Sequence, residues 1–556
     1  MIRLFEQHQI RTQKELDGMW QVTVGEKEYS LPVPGCWEQH PELLTYRGKA
    51  VYRRKIQVGR QTNVRLEFKG VSHTADVYFD ENKVAHHYNA FTAFSAIVEG
   101  VEPGEHEIRV EVDNSFSEAS ALHVPNDYYT YGGLIRPVVY EEIGAVYVKN
   151  VHFLPKKEAG VWKAVITAEL ENLAEESFRG EIACEAAGKT VSQRVEIEGK
   201  TAKKFSLEEK YEQAEAWEVL APKLYLLKTT LLSEGGELLD DLTDRVGFRE
   251  AAISGRDFLV NGKKVFLKGF NRHEDYGTLG CAVPFQVMNQ DMDMMLEVGS
   301  NAVRTCHYPN DERFLDLCDE RGMMVWEENH ARGFVLERMQ NPNFDRQCHD
   351  CIEEMIEQHF NHPGIVIWGI LNECASETEE GREKYAMQYE QIKSLDTSRP
   401  TTSATCRHFK DICLDLPDIV SFNMYSGWYQ DVSVKERHEQ EMEWIDSVAG
   451  GIKPVIVSEF GAAAMYGFRD RGRCKWSEER QADILRENLE VYAKDDRLTG
   501  TFIWQFADCK VTEEEWFPTR VRCHNNKGVV DEYRRPKEAY DVVKEYFPKL
   551  GQAEGK

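Results

Sequence analysis

The sequence predicts three domains in a row: a β jelly-roll sandwich, an immunoglobulin-like β-sandwich and a (β/α)8 TIM barrel. Three observations carry this expectation. The 556 residues are enough for about three domains at roughly 100–200 residues each. Residues 1–247 read as short alternating strands separated by turn residues, with no helical period. After Arg249, short apolar runs alternate with amphipathic helical stretches, the pattern of βα units around a parallel sheet.

In residues 1–143, runs such as Val64-Arg65-Leu66-Glu67-Phe68 and Ala75-Asp76-Val77-Tyr78-Phe79 are broken at Asp80-Glu81-Asn82. Each run offers one apolar and one polar face, which suits a sandwich or jelly roll. Residues 144–247 continue with Val161-Trp162-Lys163-Ala164-Val165-Ile166 and Arg194-Val195-Glu196-Ile197, over a length that suits an immunoglobulin-like fold. Residues 248–556 hold eight apolar runs, starting at Val265, Ala302, Met323, Ile365, Thr401, Ile419, Val455 and Thr501. Eight such units at this length predict a TIM barrel.

Composition narrows the function. A net charge of −27 excludes nucleic acid, which needs a basic surface, and an anionic membrane surface. No stretch approaches about 18 apolar residues, so no membrane span is expected, and the N-terminus lacks the apolar core of a signal peptide. Thirteen scattered Cys form no disulfide framework, and a reducing cytoplasm is the expected setting. Cys348-His349-Asp350-Cys351 has no second pair at zinc spacing. There is no nucleotide motif. No metal and no cofactor are therefore expected.

In a TIM barrel the chemistry sits at the C-terminal ends of the strands. The residues following the runs are Asn271, His273, Glu274 and Asp275; His307 and Tyr308; Glu327, Glu328 and Asn329; Asn372 and Glu373; Asn423 and Tyr425; Glu459; and Gln505 and Asp508. Such a crowd of carboxylates, amides and aromatics at one rim exceeds what packing needs. Glu373 and Glu459 each end a strongly apolar strand, where a charge is costly unless it faces a polar cleft. Two carboxyls held about 5–5.5 Å apart are what a retaining glycosidase requires. An isolated Glu in this setting is more often a solvated strand-end charge. The eight-strand context weighs against that here.

Several stretches resemble glycoside hydrolase family 2, and within it the bacterial β-glucuronidases. They are Leu16-Asp17-Gly18-Met19-Trp20, Val33-Pro34-Gly35-Cys36-Trp37 and Tyr131-Gly132-Gly133-Leu134-Ile135-Arg136 in the first domain. In the barrel they are Asn271-Arg272-His273-Glu274-Asp275, Asn301 with Arg304, His307-Tyr308-Pro309, Asn372-Glu373 and Ser458-Glu459-Phe460-Gly461. The resemblance spans essentially the whole chain. It implies a homo-oligomer acting on a small glycoside or short oligosaccharide with a terminal uronic acid. Glu373 would be the acid/base and Glu459 the nucleophile. Asn372 would meet the sugar 2-hydroxyl, Tyr425 would hold the nucleophile, and Trp504 would floor the sugar ring.

The choice of sugar rests on His524-Asn525-Asn526-Lys527-Gly528, which resembles the family's Asn-x-Lys motif for a C6 carboxylate. An amide donor and a point cation neutralise a uronate, whereas a neutral hexose leaves the cation uncompensated. Arg520 and Arg522 precede it as further candidates. Asp127, His307, Asn423 and Tyr429 are expected to contact the sugar as well. Arg332 stands where a small or apolar residue is usual, so it bears on the C4 configuration that separates glucuronide from galacturonide. Glucuronide is the leading expectation, galacturonide the alternative. A galactosidase, a mannosidase and a non-catalytic carbohydrate-binding protein stand further off.

Overall fold

The computed structural model describes residues 2–552. The first β-unit has two packed sheets. Six strands run in the order Lys27–Val33, Gly18–Val24, Lys49–Val58, Gly104–Asp113, Thr74–Phe79, Asn82–Tyr88, and four in the order Thr12–Glu15, Val138–Ile143, Thr62–Phe68, Phe94–Val101. Trp20, Tyr52, Leu66, Phe68, Val77 and Val110 fill the space between them. Inward Val64, Leu66 and Phe68 are buried while Arg65 and Glu67 between them are not, the period-two reading of that run. The second unit is a seven-stranded sandwich of three plus four strands around Trp162, Ile166, Leu170, Leu227 and Phe248.

The barrel closes from eight parallel strands: β1 (Leu267–Asn271), β2 (Ala302–Thr305), β3 (Met324–Glu328), β4 (Ile365–Ile370), β5 (Thr401–Thr405), β6 (Ile419–Asn423), β7 (Val455–Phe460) and β8 (Leu498–Ile503). Its helices include α1 (Phe285–Glu297), α2 (Glu312–Arg321), α3 (Phe344–His359), α4 (Glu379–Leu395), α5 (Val434–Val448), α6 (Glu478–Tyr492) and α7 (Glu538–Tyr546). Helix α2 shows why such segments start and stop: Asp311 accepts from Arg313 N–H at the N-cap, and Gly322 at φ 69° ends it in the left-handed region. β1 begins two residues later than its apolar run implies and β8 starts and ends earlier, so Trp504 lies just past its strand. No described helix is long and apolar enough to cross a membrane.

The first unit is latched onto the barrel mouth. Arg136 Nη2 donates to Glu274 Oε2 at 2.7 Å, Tyr131 donates to Asp275 at 3.0 Å, and the Phe91 and Tyr308 rings stack at 3.8 Å. This latch carries the loop containing Asn126 and Asp127 over the strand ends. A groove of about 450 Å³ also runs between the two β-units, but its acidic groups Glu142 and Asp240 are paired with Arg60 and Arg11.

Candidate active site

A cavity of about 340 Å³ opens at the C-terminal ends of the strands, at the lower end of the roughly 300–1,000 Å³ usual for small-molecule sites. Asp127, Arg332, Glu373, Asn423, Tyr425, Tyr429, Glu459, Trp504, Arg520 and Lys527 all line it. The structure thus brings ten of the residues singled out in the sequence into one cavity.

Arg304 at the end of β2 organises the floor. Its guanidinium donates to both oxygens of Glu328 at 2.9 and 3.0 Å, to Asn271 Oδ1 at 3.0 Å, to Glu459 Oε1 at 3.0 Å and to Asn372 Oδ1 at 2.8 Å. Five donors of a rigid fork can hold several acceptors at once, which a Lys could not. The other oxygen of Glu459 accepts from Tyr425 Oη at 2.7 Å. Burial, then the charge of Glu373, raises the Glu459 carboxyl to about 7, against the pull of Arg304, Tyr425 and Arg332.

Glu373 Oε1 accepts from Asn423 Nδ2 at 2.9 Å, and Asn423 in turn is oriented by Ser458 Oγ at 2.7 Å. Glu373 Oε2 lies 3.5 Å from Arg332 Nη2. Its backbone is left-handed at φ 55°, a cost of about 1–2 kcal/mol for a residue with a Cβ. The conformation is held by Glu373 N–H donating to Ala404 O at 2.8 Å and by Gly333 N–H donating to Asn372 O at 2.7 Å. Strain of this kind persists only where surrounding bonds enforce it, and it concentrates at functional sites. Opposite, Gly461 at φ 151° lets the end of β7 pass Trp504, because a Cβ there would sit 2.5 Å from the Trp504 carbonyl oxygen. Trp504 is held in place by stacking on His307, ring centroids 5.1 Å apart.

One end of the cavity is cationic. Arg520 grips Asp127 with two donors and also donates to Tyr429 Oη at 3.0 Å. Lys527 Nζ donates to Tyr429 Oη at 2.8 Å, and among the described residues no carboxylate lies within 4.0 Å of it. Burial lowers the Lys527 ammonium. Burial alone would raise the Tyr429 hydroxyl, but Lys527 and Arg520 bring it down overall. Arg332 bridges the two regions, 3.1 Å from Asn126 Oδ1 and 4.0 Å from Asp127 Oδ2.

Three expected residues lie beneath the lining. His307 is fully buried, its Nδ1 2.7 Å from Glu328 Oε1, and burial lowers its imidazole well below the ordinary value, so it is neutral. With Nδ1 donating to Glu328, Nε2 is an acceptor. That atom, Asn372 Nδ2 and Asn525 Oδ1 are buried without a hydrogen-bond partner among the described residues. Buried polar atoms are ordinarily paired, and a polyhydroxylated ligand offers the missing partners. Asn525 is itself fixed by donating to Asp127 Oδ2 at 3.0 Å. The expectation for Arg522 is corrected. Its backbone turns left-handed at φ 60° and its guanidinium leaves the cavity for Glu532 at 3.1 Å, with 56% of the side chain exposed against 9% for Arg520.

Sequence reasoning missed Arg304 as the organiser, although it stood in a quoted motif, and Asn126, whose polar neighbour Asp127 was the only one singled out. It also missed Cys406, His408, Met424, Gln430, Arg437 and Trp516, which line the cavity from loops and a helix. The position of Cys406 to His408 just after β5, and of Met424 just after β6, could have pointed to some of them.

A closed (β/α)8 barrel with paired strand-end carboxylates, capped by a β-sandwich that lends an Asp, defines a class of glycoside-cleaving enzymes. The chain belongs to glycoside hydrolase family 2 and is a glycoside hydrolase. Residues 251–551 match the family's TIM barrel domain, 146–249 its glycosyl hydrolases family 2 model and 37–153 its galactose-binding domain-like model. A β-glucuronidase from Paenibacillus borealis is 27% identical over 94% of this chain and 92% of its own. A β-galacturonidase from Eisenbergiella tayi, solved bound to galacturonate, superposes with a TM-score of 0.96 at 47% identity over 99% of this chain and 100% of its own. A Ruminococcus gnavus β-glucuronidase in complex with D-glucaro-1,5-lactone gives 0.87 at 25% identity over 98% and 99%.

Proposed function

We propose that the protein is a retaining exo-β-hexuronidase that cleaves β-D-glucuronides or β-D-galacturonides. The observation that carries this reading is Lys527. It is a buried cation with no carboxylate within 4.0 Å among the described residues, in one cavity with Glu373 and Glu459. A uronate C6 carboxylate supplies the missing counter-charge, with Asn525 and Arg520 beside it.

Glu459 is the nucleophile. Arg304 and Tyr425 donate to its two oxygens, an arrangement that stabilises a carboxylate. Glu373 is the general acid and base. Glu459 attacks the anomeric carbon as the bond to the leaving oxygen breaks, and Glu373 hands its proton to that oxygen. Glu373 then takes a proton from water, whose oxygen attacks the anomeric carbon and frees Glu459. Trp504 floors the ring. Asn372 Nδ2 and His307 Nε2 are free to bond sugar hydroxyls.

A second reading ranks galacturonide ahead of glucuronide. It is favoured by Arg332 in the cavity and by the higher identity to the Eisenbergiella tayi β-galacturonidase, 47%, than to the β-glucuronidases compared. A panel of nitrophenyl β-glucuronide, β-galacturonide and β-galactoside tests both. The uronides should turn over and the galactoside should lag. Faster cleavage of the galactoside would refute the uronidase assignment.

A further inference from the structure

Arg437, in the first turn of α5, is another cation of the cavity, ion-paired to Glu441 but with its N–H groups unspent. Its guanidinium donates no hydrogen bond to any described residue. The nearest carboxylate is Glu441, 3.8 Å away, and the other Glu441 oxygen already sits 2.8 Å from His408 Nδ1. Arg437 lies over the Phe409 ring at 4.6 Å, which holds the fork in place without using its N–H groups.

The position of this cation gives it meaning. Arg520, Asn525 and Lys527 follow β8, at the uronate end. His408 follows β5, Gln430 follows β6 and Arg437 stands on α5, and all three line the same cavity on its β5–β6 side. Glu373 follows β4, which pairs with β5, and β5 pairs with β6. The leaving group departs on the side of its proton donor, so in the reading proposed above it departs toward His408, Gln430 and Arg437.

We propose that this end is a leaving-group subsite for an aglycone that itself bears a carboxylate, a second uronic acid, received by the Arg437 guanidinium. The subsite rests on the hexuronidase reading and adds to it that the favoured substrate is a uronosyl-uronic acid. On a chain of net charge −27, a dianionic substrate needs a cation for each carboxylate. Of the four that line the cavity, Arg520 grips Asp127, Arg332 lies beside Glu373 and Lys527 serves the uronate, which leaves Arg437 for the second carboxylate.

The test compares a uronosyl-uronic acid disaccharide with the same disaccharide methyl-esterified at the leaving sugar only. The wild type should favour the free acid by about tenfold in kcat/KM, the worth of one charge-assisted pair of partial exposure. Arg437→Gln should bring the ratio near one and Arg437→Lys should keep part of it, each ratio being read within one protein so that any change in absolute rate cancels. Raising ionic strength should shrink the wild-type ratio without any substitution. Equal kcat/KM for acid and ester in the wild type, or a preference that survives in Arg437→Gln, would overturn the subsite. A wild type inactive on nitrophenyl uronides would overturn the hexuronidase reading instead, and the subsite with it.

Discussion

Glu459→Gln should make the protein more stable at alkaline pH while it abolishes turnover. Burial and the neighbouring Glu373 charge raise the Glu459 carboxyl from 4.5 to about 7. Below the lower value the group is protonated in folded and unfolded chains alike and contributes nothing to pH dependence. Between the two values the unfolded chain ionises while the folded chain keeps its proton, so stability falls as pH rises. Above about 7 the whole penalty stands, about 3 kcal/mol at roughly 1.36 kcal/mol per pH unit. Glutamine keeps the shape and removes the charge. Its carbonyl faces Arg304, and its amide faces the Tyr425 hydroxyl, which turns to accept. At roughly 2 °C per kcal/mol for a domain of this size, the melting temperature should rise by about 6 °C at pH 8 and not at all near pH 4. Thermal melts of both proteins across that range are the assay. A variant no more stable than the wild type at pH 8, or a gain independent of pH, would refute the conclusion that buried charge is stored at Glu459. Stability given up at a reacting carboxylate is a common cost of function.

Other outcomes follow from the same geometry. The acid limb of kcat/KM against pH should fall near 7, and Tyr425→Phe should move it upward, because the hydroxyl that lowers the Glu459 carboxyl is gone; an unmoved limb would place the titrating group elsewhere. Lys527→Ala should cut kcat/KM for a β-uronide by roughly a hundredfold, the value of a buried charged hydrogen bond of about 1.5–3 kcal/mol, and leave β-galactoside cleavage nearly unchanged; equal losses would remove Lys527 from carboxylate recognition. Arg332→Met should change the ratio of galacturonide to glucuronide cleavage more than either absolute rate for nitrophenyl leaving groups, read from the two kcat/KM values. Asp127→Asn should weaken uronide binding and lower the melting temperature, since it strips a bidentate partner from buried Arg520, and breaking such a pair costs about 3–5 kcal/mol.

The reacting groups were legible because a TIM barrel couples sequence to position. An apolar run is a strand, its last residue is at the rim, and a Glu there has no apolar role to play. Glu373, Glu459, Asn423 and Tyr425 all came from that one rule, and β1 and β8 slipped by a few residues without moving any of them. Asp127, Asn525 and Lys527 lie outside the rule and were reached through the family resemblance. Arg520 and Arg522 could not be told apart, since two residues on the same turn differ only in which backbone dihedral they adopt, and Arg522 alone is left-handed.

What the sequence determines by itself is therefore the set of strands, their order and the polar residue that ends each. What the tertiary structure decides is which of those ends meet. Arg304 touches Glu328, Asn372 and Glu459 from β3, β4 and β7 at once, a convergence no spacing encodes because it is made by closing the barrel. Likewise Asp127 reaches Arg520 across 393 residues of chain, and Arg437 reaches the cavity from the side of a helix. Local pattern sets where a side chain leaves the backbone. Only long-range packing sets what it faces, and the chemistry of this site lies in those facing pairs.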